Sequence, residues 1–221
     1  PECPHRLDAI NDRLLVSGLQ DVLDLRDAPL VDIQALTRAH ESRYVSELED
    51  LLEQISAGTE SRYIDPDTVA CPATWRAALR SAGAAVAATD AVIKGEVENA
   101  FCAVRPPGHH ATRNQAMGFC FFNNVAVAAR HALDVHRLER VAIVDFDVHH
   151  GNGTEDIVAG DERVLMVGIF QHPLYPNSGA VPSTNTNITA APAMVDPAVA
   201  ASSIIEMVTP HGMSTVARPS R

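Results

Sequence analysis

The chain has 221 residues, of which 46% are hydrophobic and 20% charged, with a mean hydropathy near zero. This excludes a wholly disordered or collagen-like chain, and a protein of this length can bury a core without crosslinks. Twenty-eight acids against 17 bases give a net charge of −11. Residues 1–100 hold 18 of the acids and 9 of the bases, leaving 10 and 8 for the remainder. Such a balance argues against direct nucleic-acid binding, which needs a basic face, and is compatible with cationic substrates.

No stretch approaches the roughly 18 apolar residues of a membrane span. The opening Pro1 to Arg6 lacks the apolar core of a secretory signal, and a cytoplasmic location is the expectation. Cys3, Cys71, Cys102 and Cys120 are widely spaced with no CxxC pair, and read as reduced packing thiols.

In chain order, Leu7, Ile10, Leu14, Leu15, Leu19 and Val22 fall at helical spacing, predicting an amphipathic helix from Leu7 to Leu23. A second helix is expected from about Ala39 to Ile55, with Gly58 as its stop. Turn residues from Ile64 to Thr68 signal a surface loop. Alanine-rich Ala73 to Val92 reads as a long helix packed closely on a neighbour.

The period then changes. Ala100–Val104 is a short apolar run that reads as a buried strand. A polar loop leads to Phe122, then a helix from about Asn124 to Val135 capped by Asn123 or Asn124, then a strand at Val141–Val144. A further helix is expected to start near Thr154 as N-cap, and a third strand at Val164–Val167. Strand and helix alternating with short connections predicts an α/β fold with a single parallel sheet and helices on both faces. Ligands in such sheets sit at the carboxyl ends of the strands. From Pro182 onward the pattern is lost, so residues 1–181 are expected to form the domain and 182–221 a divergent or truncated tail.

Two clusters carry chemistry. Asp145, Asp147 and His149 alternate along an extended segment, so all three can face one side. Carboxylate and imidazole together suit a borderline divalent ion, and two acids at a buried strand end require a metal or a charged partner. His109 and His110 follow Arg105-Pro106-Pro107-Gly108 at the neighbouring strand end. A histidine there can shuttle a proton while a carboxylate behind it fixes its tautomer. Phe121 and Phe122 read as core, and Phe119, beside Gly118, as the better pocket-lining candidate.

RPPGHHA, AMGFCFFNN and VDFDVHHGNGT together resemble the motifs of the histone deacetylase and acetylpolyamine amidohydrolase superfamily. The Pro1-Glu2 to Arg6-Leu7 segment is similar to that family's early HPE…R stretch. Asn152, where some members carry aspartate, resembles the class II and bacterial branch. The resemblance implies the arginase/deacetylase-like sheet and a zinc-dependent hydrolysis of acetyl-lysine or acetylpolyamine to acetate and free amine. By position it implies Asp147 and His149 as two of three zinc ligands and His110 as general base. His109 would be its proton-holding neighbour, and Asp145 and Asn152 the partners of the two histidines. It also implies Phe119 and Tyr175 as opposite walls of the acyl tunnel, Asp67 at its rim, and a structural potassium on main-chain oxygens of Asp145, Asp147 and His149. Gly168 stands where the family usually has a serine that assists that potassium.

The resemblance further implies a third zinc ligand in an SAGFDAH-like segment and an oxyanion-stabilising tyrosine in a GGY turn. Neither motif occurs among the 221 residues. Asp196, before Pro197, reads as a turn residue rather than a ligand. The expectation is a deacetylase fold lacking its C-terminal part. The alternative is a non-catalytic fragment of that fold binding a metal or a protein partner. Oligomeric state has no sequence signal.

Overall fold

The computed structural model describes residues 2–180 and 186–191. Helix α1 (His5–Val16) ends before Gly18, whose φ of 71° breaks the predicted longer helix into α1 and a 3₁₀ turn at Leu19–Val22. α1 buries none of its residues among the described ones. A short α2 (Ile33–Leu36), capped by the Asp32 carboxylate, precedes α3 (Ser42–Ser56). The loop expected at Ile64–Thr68 joins two short antiparallel strands, β1 (Arg62–Tyr63) and β2 (Val69–Ala70).

The long alanine-rich helix is α4 (Thr74–Ile93). It packs on α5 (Asn124–Asp134) through small residues such as Ala78, Ser81, Ala82 and Ala85. A Cβ at Gly83 would lie 2.0 Å from the Pro29 carbonyl oxygen, so the chain crosses the helix where there is no side chain.

The larger sheet is parallel, in the order β3 (Val141–Asp145), β4 (Val164–Gln171), β5 (Thr186–Ala191). α6 (Asn152–Val158) connects β3 to β4. Val141, Ile143, Val164 and Met166 point to the covered face and join one core with Leu36, Leu52, Val127 and Ile157. Leu165 and Ile169 alternate to the other face, where they are 44% and 51% exposed.

Three further expectations are corrected. Ala100–Val104 joins no ladder among the described residues, and Phe101 is 51% exposed. Being apolar does not make a strand without a partner edge, and the Val104 carbonyl instead accepts from the Arg6 guanidinium at 2.6 Å. Thr154 is not the cap of α6. That helix starts two residues earlier, with Gly151 at its N-cap, and Thr154 is buried inside it. Finally, the 182–221 segment read as tail contains β5, whose backbone pairs in parallel with β4 from Met166 to Gln171.

Candidate active site

The site forms where β3 ends. Asp145 is the last residue of β3, and the chain beyond it runs beside the end of β4, with the Gln171 amide donating to the Val148 carbonyl at 2.9 Å. It then turns at Gly151 into α6. The Asp145 carboxylate lies so close to this turn that a Cβ on Gly151 would be 2.2 Å from Asp145 Oδ2.

The loop carrying His109 and His110 is fastened to the same turn by backbone chemistry. The first amides of a helix lack intrahelical acceptors, and in α6 the Gly153 and Thr154 amides both donate to the His109 carbonyl, at 3.0 and 3.1 Å. Asn123 ties the joint from below. Its carbonyl oxygen caps α5 by accepting from Ala126 N, while its amide donates to Ala111 O and Thr154 Oγ1, each at 3.1 Å. From the other side, Glu2 pairs with Arg6 and with Arg105, so the early segment is pinned to the base of the histidine loop.

His109 and His110 are both buried, with ring centroids 4.0 Å apart, yet have different partners. His109 Nδ1 meets Asp145 Oδ2 at 3.0 Å, and His110 Nδ1 meets Asn152 Oδ1 at 2.8 Å. Burial disfavours charge on either ring. At His109 the hydrogen bond and charge of Asp145, with Asp147 behind it, outweigh that cost and raise the pKa. At His110 burial dominates, the neighbouring His109 adds to it, and the pKa falls to about 3. A neutral amide partner cannot offset this as a carboxylate does.

Asp147 and His149 converge, with Oδ1 of the aspartate 2.9 Å from His149 Nδ1 and also accepting from the His149 amide at 2.8 Å. Burial pushes the Asp147 carboxyl up, but His149 and the charge of His109 bring it down to about 2, so it is ionised. Tyr175 stands edge-on to His110, ring centroids 5.0 Å apart, and 6.3 Å from His149. Burial and the acids Asp67 and Asp65 raise its pKa. Gly118, at φ 57°, lies against the His110 ring, and its amide donates to Asp67 Oδ1 at 3.2 Å. Phe119, at φ 67° and half-buried, follows it and donates its amide to Thr68 Oγ1 at 3.1 Å.

Residues 1–211 match the family model of the histone deacetylase domain. The chain belongs to the histone deacetylase domain family. The deacetylase domain is 43% identical over 176 residues to a histone deacetylase-like amidohydrolase of Pseudomonas aeruginosa, covering 80% of this chain and 44% of that protein. It is 40% identical over 192 residues to the polyamine deacetylase HDAC10 of Rattus norvegicus, covering 81% of this chain and 32% of that one. Its fold matches the crystal structure of the HDA15 HD domain with a TM-score of 0.78 at 36% identity, covering 87% of this chain and 55% of that one. The chain thus spans about half or less of the length of these relatives.

All nine residues that the motifs singled out in this deacetylase domain lie around one site: Asp67, His109, His110, Phe119, Asp145, Asp147, His149, Asn152 and Tyr175. Gly168 pairs with Asp145 in the ladder and has no side-chain oxygen to offer beside it. Asp196 lies outside the described residues. The sequence reading missed His40, which holds the Thr112 carbonyl and the Asn123 amide at 2.9 Å each. It also missed a second Asp/His cluster on α4 and α5. Neither stands in a local motif, so the chain carried no signal of either.

Proposed function

We propose that this chain carries the general-base half of a zinc-dependent deacetylase site that hydrolyses an acetyl-amide to acetate and a free amine. The observation that supports this best is the division of labour between two adjacent histidines. One is held by a carboxylate and the other by an amide, and environments that push two neighbouring titratable groups apart mark acid and base roles.

The donor chemistry fits a zinc ion. An ionised carboxylate oxygen and an imidazole nitrogen converge at the strand end, and both are ordinary zinc ligands. Asp147 and His149 would hold the ion, with a third donor from outside the described residues. When bound, zinc supplies a Lewis acid that polarises the amide carbonyl and makes water a better nucleophile.

The chain's own groups do the rest. Asn152 Oδ1 accepts the His110 Nδ1 proton, which leaves the Nε2 lone pair free to take a proton from the attacking water. Asp145 stabilises positive charge on His109, which therefore holds a proton for the leaving amine. Tyr175 and Phe119 flank the acyl chain, and Asp67 at the rim, beside the Gly118 amide and Tyr175, favours a substrate bearing a positive charge or an amide donor. Acetyl-lysine in proteins and acetylpolyamines both present such groups.

The test is acetate release from an acetyl-lysine peptide and from an acetylpolyamine by the zinc-loaded chain and its His110→Ala variant. A general base is worth roughly 10²–10⁴ in rate, so the variant should lose at least that lower factor. Equal rates in the two proteins refute the assignment. Absence of turnover by the zinc-loaded parent refutes the chain as a self-sufficient enzyme and leaves a metal-binding deacetylase fold.

A further inference from the structure

On the helical side of the sheet, separate from the site above, three side chains from two helix ends meet. Asp90 lies in the last turn of α4, His131 in the last turn of α5, and His136 just beyond it. Nε2 of each histidine is 2.6 Å from the same oxygen, Asp90 Oδ1. The three donor atoms all lie within 4.8 Å of one another, and the imidazole rings are 5.2 Å apart at 76°. His131 is buried, and its Nδ1 has no partner, so the ring directs its one polar contact into the cluster.

We propose that Asp90, His131 and His136 form a second metal site, specific for a borderline divalent ion of the zinc type. It is independent of the deacetylase reading. Three observations carry it. The first is the ligand set: two imidazole nitrogens and a carboxylate oxygen suit zinc and disfavour magnesium, which takes oxygen ligands.

The second is geometry. With zinc–ligand bonds of about 2.0–2.1 Å, tetrahedral donors stand about 3.3 Å apart, so each nitrogen needs to draw back from Asp90 Oδ1 by less than about 1 Å. His136 lies beyond the helix, where ring rotation can supply its share, and a rotamer change of the Asp90 carboxylate, which is not fully buried, can supply the other. The unpartnered His131 Nδ1 is free to carry the ring proton once Nε2 gives up its lone pair.

The third is the field. The carbonyl ends of α4 and α5 converge here, and a helix C-terminus carries a partial negative charge that favours a cation. Among the described residues, the basic side chain on the cluster is Lys94, whose Nζ contacts the other Asp90 oxygen at 3.2 Å and whose exposed side chain can swing into water. A metal bridging α4 to α5 would clamp the helix pair that backs the sheet.

The test is zinc stoichiometry by equilibrium dialysis of the full chain. The Asp147→Asn/His149→Ala variant removes the catalytic ligands and should retain one tight equivalent, also seen as visible absorption with cobalt. Adding His136→Gln, or Asp90→Asn should the first not fold by circular dichroism, is expected to abolish that equivalent and the cobalt signal. Excess magnesium should not compete. No zinc bound to the Asp147→Asn/His149→Ala protein, or an equivalent that survives both further substitutions, overturns the proposal and leaves the cluster a hydrogen-bonded clasp.

Discussion

His40 makes a prediction whose size can be worked out. It is buried against Tyr44 and Phe122, with its ring centroid 5.5 and 5.6 Å from theirs. Nδ1 donates to the Thr112 carbonyl and Nε2 accepts from the Asn123 amide, so both nitrogens are used by the neutral tautomer. A second ring proton would face the Asn123 N–H. Burial lowers the pKa from the ordinary 6.5 to about 4, against small opposing contributions from the Thr112 and Arg113 carbonyls.

The folded pKa is depressed, so between about pH 6.5 and 4 the unfolded chain binds the proton and the native one does not. The contribution is complete above the unfolded value and is lost on acidification through that window. The shift of about 2.5 units is worth roughly 3 kcal/mol in all, of which about 2 kcal/mol has gone by pH 5. That is a large share of the roughly 5–15 kcal/mol that holds a domain together.

The assay is urea unfolding by circular dichroism at pH 7, 6 and 5 for the parent and His40→Gln, which keeps an acceptor near Nε2 and cannot titrate. His109, with its raised pKa, contributes with the opposite sign, so the difference between the two proteins is the quantity to read. The variant should be less stable at pH 7 and lose about 2 kcal/mol less than the parent on going to pH 5. Parallel losses would refute the neutral, double-bonded His40.

At the site, Asn152→Ala removes the acceptor that fixes the His110 tautomer. A roughly 10–100-fold fall in turnover is expected with little change in KM, as for other groups that orient a catalytic side chain, and an unchanged kcat would count against the assignment. Gly153→Ala places a Cβ 2.3 Å from the Ala111 carbonyl oxygen and 2.5 Å from the His110 carbonyl carbon, both backbone. The α6 start must then move off the histidine loop, at a cost of roughly 1–3 kcal/mol measured by urea unfolding, and a chain as stable as the parent would show that loop and helix are not clamped together.

The helices α3, α4 and α5 and the strands β3 and β4 were legible because their patterns are local: apolar spacing, small residues in a run, and an Asn cap that does accept from Ala126 N. Asp145, Asp147 and His149 were legible as residue types two apart in one short segment, but the extended geometry expected through all three stops at Asp145, and the chain bends at Val148 and His149. Ala100–Val104 misled because pairing is a property of two segments and its own apolarity says nothing of a partner. β5 was hidden because its backbone, rather than an apolar pattern, joins the ladder.

The sequence by itself determined the residue types at the strand ends and hence the chemistry open to them, since motif spacing along a few residues survives any global arrangement. The tertiary structure alone decided which histidine meets which partner. Asp145 and His109 are 36 residues apart and Asn152 and His110 are 42 apart, so their pairing depends on how the α6 start seats on the His109 carbonyl. The same holds for Asp90 with His131 and His136, brought together by the packing of α4 on α5. Hydrogen bonds between distant residues follow from that packing, and no local pattern in the chain encodes them.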